Sequence, residues 1–134
     1  MNWWKIILTT TCVLWASCAR AQDAGQLMAR LHESNGAERL VLLNSLSCFW
    51  IRESPDSAMH YARQALVEAE KLQNRAAHAE AQHNLGVAYK EKRDYGPALE
   101  HFSKALAETE DLQDRRGLAA NNNEIGLVNF YKGN

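Results

Sequence analysis

From Ala24 onward the apolar positions recur at helical spacing, and turn-forming residues divide them into segments of similar length. Leu27, Met28 and Leu31 mark a first short helix. Ser54-Pro55 supplies an N-cap followed by proline at the first helical position, and Asp94 stands at the corresponding place further on. The pattern predicts helices over about 24–33, 37–52, 55–72, 75–92, 95–112 and 115–132, and no strand. Leu66, Leu85, Leu99 and Leu106 are the expected core leucines, each contributing about 1.5–3 kcal/mol through removal from water.

The segments also repeat. A shift of 40 residues lays Ala58 to Arg75 on Ala98 to Arg115 with 8 identities in 18 positions, among them Ala58/Ala98, Ala65/Ala105, Leu66/Leu106 and Leu72/Leu112. In the same register Ala79 meets Ala119, Leu85-Gly86 meets Ile125-Gly126 and Tyr89 meets Asn129. An earlier, more degenerate unit has Leu46 at the Gly86 position and Phe49 at the Tyr89 position. Such degeneracy suits a terminal unit, which lacks a neighbour on one side.

Leu85-Gly86-x-x-Tyr89 followed by Ala98-x-x-x-Phe102-x-x-Ala105 resembles the tetratricopeptide repeat family, in a long variant similar to that of exported sensory regions of bacterial signalling proteins. The resemblance spans about residues 37–134 and implies an all-α fold, an antiparallel helix-pair solenoid of about two and a half repeats plus a short N-terminal helix. Units of about 37–76, 77–116 and an incomplete 117–134 follow a leading helix and linker over 22–36. It further implies a protein or peptide ligand.

The start of the chain has a different character. A basic opening with Lys5 leads into an uncharged apolar stretch from Ile6 to Ala19, too short to span a bilayer as a helix, and Ala19-Arg20-Ala21 offers a small-x-small cleavage site. Residues 1–21 are therefore expected to be an export signal, with the mature protein periplasmic or secreted. The rival reading makes Cys18 a lipid-attachment residue, since Ala16-Ser17-Cys18 resembles the end of a lipoprotein signal. Cleavage after Ala21 removes Cys12 and Cys18, leaving Cys48 with no intramolecular disulfide partner and expected to pack as a small apolar group. At the other end, Lys132-Gly133-Asn134 aligns with the turn Lys92-Arg93-Asp94 that precedes a second helix. Leu127, Val128, Phe130 and Tyr131 are thus expected to lack part of their cover, as in a fragment of a longer protein or an unusually apolar cap.

Charge and candidate chemistry narrow the function. The whole 134-residue chain carries a formal net charge of −1, and a cleaved chain, losing Lys5 and Arg20 but no acidic residue, is more acidic still. No positive field exists to attract nucleic acid, and a membrane enters only through a lipid anchor or a further segment. His78 and His83 stand five apart without a metal-binding motif, so solvated or edge histidines are expected and no metal or cofactor is. Glu68, Glu70, Glu108, Glu110 and Asp111 recur with the period, which fits solvated faces better than a catalytic pair. No nucleophile elbow or phosphate-binding loop occurs, and no enzymatic activity is expected.

The candidate site is a groove. In the resembled family the first helix of each unit lines the inner surface, and the residue two before the glycine position faces it; here these are Asn44, Asn84 and Glu124. Asn side chains both donate and accept, so a ladder of them could bond the backbone of an extended peptide, with Ser47, His83, Val87, Lys90, Asn123 and Leu127 on the same face. The alternative is that Asn84 bonds a neighbouring helix. Glu80, His83 and Asn84 stand where a clamp for a C-terminal carboxylate would need Lys or Arg. The expected function is an exported interaction module, the sensory start of a longer signalling protein. A docking arm for a downstream active domain and a free-standing scaffold are the alternatives.

Overall fold

The computed structural model describes residues 23–133. The expected signal segment, with Cys12 and Cys18, lies outside them. The described residues form six helices and no strand: α1 over 23–33, α2 Gly36–Trp50, α3 Pro55–Lys71, α4 Arg75–Glu91, α5 Tyr95–Asp111 and α6 Arg115–Lys132. Neighbouring helices from α2 onward pack on one another, and α4 additionally touches α2 and α6.

Turn chemistry sets the helix limits. Ser54 Oγ accepts the Ser57 backbone N–H at 3.3 Å, and Pro55 begins α3 with its ring-fixed φ. Asn74 and Asp114 cap α4 and α6 through Ala77 N and Arg116 N, each at 3.1 Å. Asp94 makes no side-chain cap bond, contrary to the expectation. The third residue of α5 is Pro97, which has no N–H to donate where Ser57 and Ala77 provide one.

Three helix ends share one geometry. Gln73, Arg93 and Gln113 take left-handed φ values of 52°, 63° and 55°. Their own N–H groups bond Glu70, Lys90 and Glu110 carbonyls, and the next N–H groups reach Ala69, Tyr89 and Thr109. This Schellman arrangement satisfies carbonyls that would otherwise lack partners, at roughly 1–2 kcal/mol of backbone strain where glycine would be unstrained.

The core is a series of interhelical contacts rich in alanine. Leu40, Leu43, Ala65, Ala69 and Ala81 form one cluster, and Ile51, Ala58, Met59, Ala62, Leu85 and Ala88 a second. Ala98, Phe102 and Val128 form a third, flanked by Val87, Tyr89, Tyr95, Leu99 and Ile125. Alanine allows close helix approach, and Gly86 under Phe102 is one such close crossing. A Cβ at residue 86 would fall 2.6 Å from the ring, whose side chain is fully buried.

Leu85 is buried as expected, but Leu66, Leu99 and Leu106 are only half-buried because paired helices leave their rims open to solvent. Cys48 is exposed on α2, so the expectation of an apolar packed thiol is corrected. Of the four residues expected to lack cover, Val128 is fully buried and Leu127 half-buried, while Phe130 and Tyr131 are exposed.

Candidate functional site

The alternate helices α2, α4 and α6 are joined by the residues of the expected groove. Asn44 is buried and donates through Nδ2 to the Ala77 carbonyl and to Glu80 Oε2, each at 3.2 Å. Asn84, also buried, donates to the backbone oxygen of Asn44 at 3.4 Å. Glu124 accepts from Lys90 Nζ at 2.7 Å, with both side chains largely shielded. Positions 44, 84 and 124 thus tie one alternate helix to the next, and the donors of Asn44 and Asn84 are engaged within the fold.

The remaining candidates divide between interior and surface. Ser47 is fully buried and donates to the Ala58 carbonyl at 3.0 Å, holding α2 against α3. Val87 is half-buried between the second and third clusters. Asn123 is exposed. His83 is half-buried, donates from Nδ1 to Asn121 Oδ1 at 2.8 Å, and its ring lies 5.6 Å from that of Phe102. The structure therefore brings Lys90 and Glu124 together, leaves His83 at an open edge, and places Asn44, Ser47 and Asn84 inside.

His83 borders a cleft of 490 Å³ between α4 and α6. Its α4 wall consists of Asn74, Ala76, Ala77, Ala79, Glu80 and His83, and its α6 wall of Arg116, Gly117, Ala120 and Asn121, with Thr109 and Asp114 at the end. Ala76, Ala77 and Ala79 on α4 and Gly117 and Ala120 on α6 leave the space between the larger polar residues. At Gly117 a Cβ would lie 2.6 Å from the Thr109 methyl group, so this close approach requires glycine. The volume lies within the range of roughly 300–1,000 Å³ common for small-ligand sites.

The cleft offers both hydrogen-bonding senses and both charges. Glu80 is exposed at its rim apart from the Asn44 contact, and the Arg116 guanidinium opposite makes no ion pair among the described residues. Asn74 and Asp114 are held by their capping bonds, so the polar groups at the cleft end are fixed in place. A larger hollow of 610 Å³ beside α2 and α3 is lined by Arg39, His60, Arg63, Gln64, Val67 and Glu68. Several of its polar groups already pair with neighbours: His60 with Gln64, Arg63 with Tyr89, and Glu68 with Lys71.

Three of the five histidines, His78, His83 and His101, connect neighbouring helices. His78 Nδ1 donates to Glu108 Oε1 at 2.7 Å, and His101 Nδ1 donates to Gln82 Oε1 at 2.7 Å while stacking on Tyr89 with centroids 5.3 Å apart. Burial pushes the His101 pKa below the ordinary histidine value, with Lys104 acting in the same direction. These bonds correct the expectation of solvated or edge histidines for His78 and His101, and of a solvated carboxylate for Glu108. Among the described residues, no three His, Cys, Asp or Glu side chains gather as a metal-holding group.

The cleft was not named by sequence reasoning, although Ala77 and Gly117, and Glu80 and Ala120, are pairs at the 40-residue offset. Small residues at three of those four positions, Ala77, Gly117 and Ala120, were the available signal. Comparison of the chain with protein-family models, with characterised proteins and with solved structures gives no match.

Proposed function

We propose that this chain is an interaction module that binds a protein segment or peptide, built from tetratricopeptide-type helix pairs in solenoid order. The observation that carries the reading is the open cleft between α4 and α6, floored by small residues and edged by Glu80, His83 and Arg116. An extended peptide offers both N–H and C=O groups, for which a site with donors and acceptors on facing walls is suited. The 40-residue sequence repeat and the family resemblance support the same role, in the sensory region of an exported signalling protein whose leader is residues 1–21. Binding, with the chemistry left to other components, is the function of this segment.

A selection of displayed random peptides on the purified protein tests the reading. Peptides selected on the wild type should bind in titration and lose at least tenfold in affinity when Ala120→Trp fills the cleft. Ala120 is exposed, so that substitution leaves the helix packing in place. Peptides that bind the variant equally well would place recognition elsewhere, and failure to select any binder would count against the module.

A further inference from the structure

The 610 Å³ hollow beside α2 and α3 is lined by three cations, Arg39, Arg63 and Lys71, and two carboxylates, Asp56 and Glu68. Each carboxylate already has its counter-charge: Lys92 bonds Asp56, and Lys71 bonds Glu68 at 3.5 Å. Arg39 and Arg63 pair with no carboxylate among the described residues. Their guanidinium groups are held by neutral oxygens instead, Arg39 by the Leu31 carbonyl at 3.1 Å and Arg63 by the Tyr89 hydroxyl at 3.2 Å. Each fork is thereby anchored while it keeps its full charge and several further N–H donors. Helix packing does not require these residues. At the 40-residue offset Arg39, His60, Arg63 and Lys71 become Ala79, Glu100, Ser103 and Asp111, although α4 packs on α5 as α2 packs on α3. Residues 1–22 contain neither Asp nor Glu, so the start of the chain carries no counter-charge for the two arginines.

We propose that this hollow binds a small dianion, a short-chain dicarboxylate or a phosphate monoester. Guanidinium forks match the paired oxygens of carboxylate and phosphate groups, and two of them on separate helices favour a ligand with two negative charges over one with a single charge. Leu43 and Val67 supply the apolar part of the lining, against which a short carbon chain lies. His60 and Gln64, which bond each other at 2.7 Å, add neutral polar atoms beside the arginines. The site is separate from the α4–α6 cleft and gives the chain a small-molecule ligand in addition to a peptide.

Isotope-labelled protein is titrated with glutarate, with inorganic phosphate and with the monoanion butyrate, all at one ionic strength so that general screening of exposed charge is the same in each. Glutarate or phosphate should give saturable amide shifts around Arg39 and Arg63, and butyrate should bind at least tenfold more weakly. The tighter of the two dianions tells whether the ligand is a dicarboxylate or carries a phosphoryl group. Arg39→Gln and Arg63→Gln should each lower dianion affinity at least tenfold. Arg63 is exposed, so its replacement leaves the helices packed and carries the test should Arg39→Gln unfold. Arg115→Gln removes an equal charge outside the hollow and should leave binding unchanged, as should Ala120→Trp in the α4–α6 cleft. Absence of saturation by both dianions, butyrate binding as tightly as either, or dianion binding indifferent to Arg63→Gln would each overturn the proposal.

Discussion

Phe102 packs over Gly86, so close that a Cβ on residue 86 would be 2.6 Å from the ring, while Gly126 at the same 40-residue offset faces open space. Alanine in place of a helical glycine gains about 0.5–1 kcal/mol of backbone entropy where space permits. At Gly126 the gain is unopposed, and Gly126→Ala is expected to raise stability by that amount. At Gly86 the buried ring must shift, and overpacking of about 1–3 kcal/mol outweighs the gain. Urea unfolding followed by circular dichroism should move the two variants in opposite directions; equal shifts would contradict the packing difference.

This pair illustrates what was legible in the chain. Gly86 could be read as a close crossing point because Leu85, Tyr89, Ala98 and Phe102 surround it in a spaced pattern. The six helices followed from periodicity and from Ser54-Pro55, which are local signals. The partners of Asn44, Asn84, His78 and His83 lie between 30 and 40 residues away, and no local pattern states which way each side chain turns. Burial was overestimated at Leu66, Leu99 and Leu106 because a helical period shows the apolar side without showing how far a neighbouring helix covers it. The cleft at Gly117 and Ala120 depends on the spacing of α4 and α6, a tertiary quantity.

The Lys90 and Glu124 pair joins those two helices at 2.7 Å, with side-chain exposures of 14% and 18%. Removing one partner leaves a shielded charge without its counter-charge, and Lys90→Met is expected to lose about 1.5–3 kcal/mol. Combining it with Glu124→Leu removes the stranded carboxylate as well. The double variant should recover at least half of the loss in a double-mutant cycle, and strictly additive losses would show that the two charges are not coupled.

The caps of α3 and α5 should respond differently to the same truncation. Ser54 accepts the Ser57 N–H, so Ser54→Ala is expected to lower stability by about 1 kcal/mol. Asp94 has no such donor at Pro97 and keeps only its charge near the helix start, worth about 0.5 kcal/mol or less at an exposed position. Chemical denaturation of the two alanine variants makes the comparison directly. A larger loss for Asp94→Ala would mean that its carboxylate bonds another N–H in solution.

His101 gives stability a definite pH dependence. Its pKa is lowered in the folded state, first by burial and then by Lys104, against an opposing pull from Glu100, with Arg63 adding least. Above the ordinary histidine pKa of about 6.5 the ring is neutral in both folded and unfolded chains and no proton is linked to folding. As pH falls below that value the unfolded chain binds a proton that the folded chain resists, so stability is lost until the depressed folded pKa is passed. The neutral ring stacks on Tyr89 and bonds Gln82, both on α4, so this loss falls on the packing of α5 against α4. Thermal midpoints measured from pH 8 to pH 5 should fall for the wild type. His101→Phe keeps an aromatic ring against Tyr89 without a titratable group; its midpoint should start lower, because Gln82 loses its donor, and then decline less steeply. Parallel profiles for the two proteins would assign the acid sensitivity to other histidines.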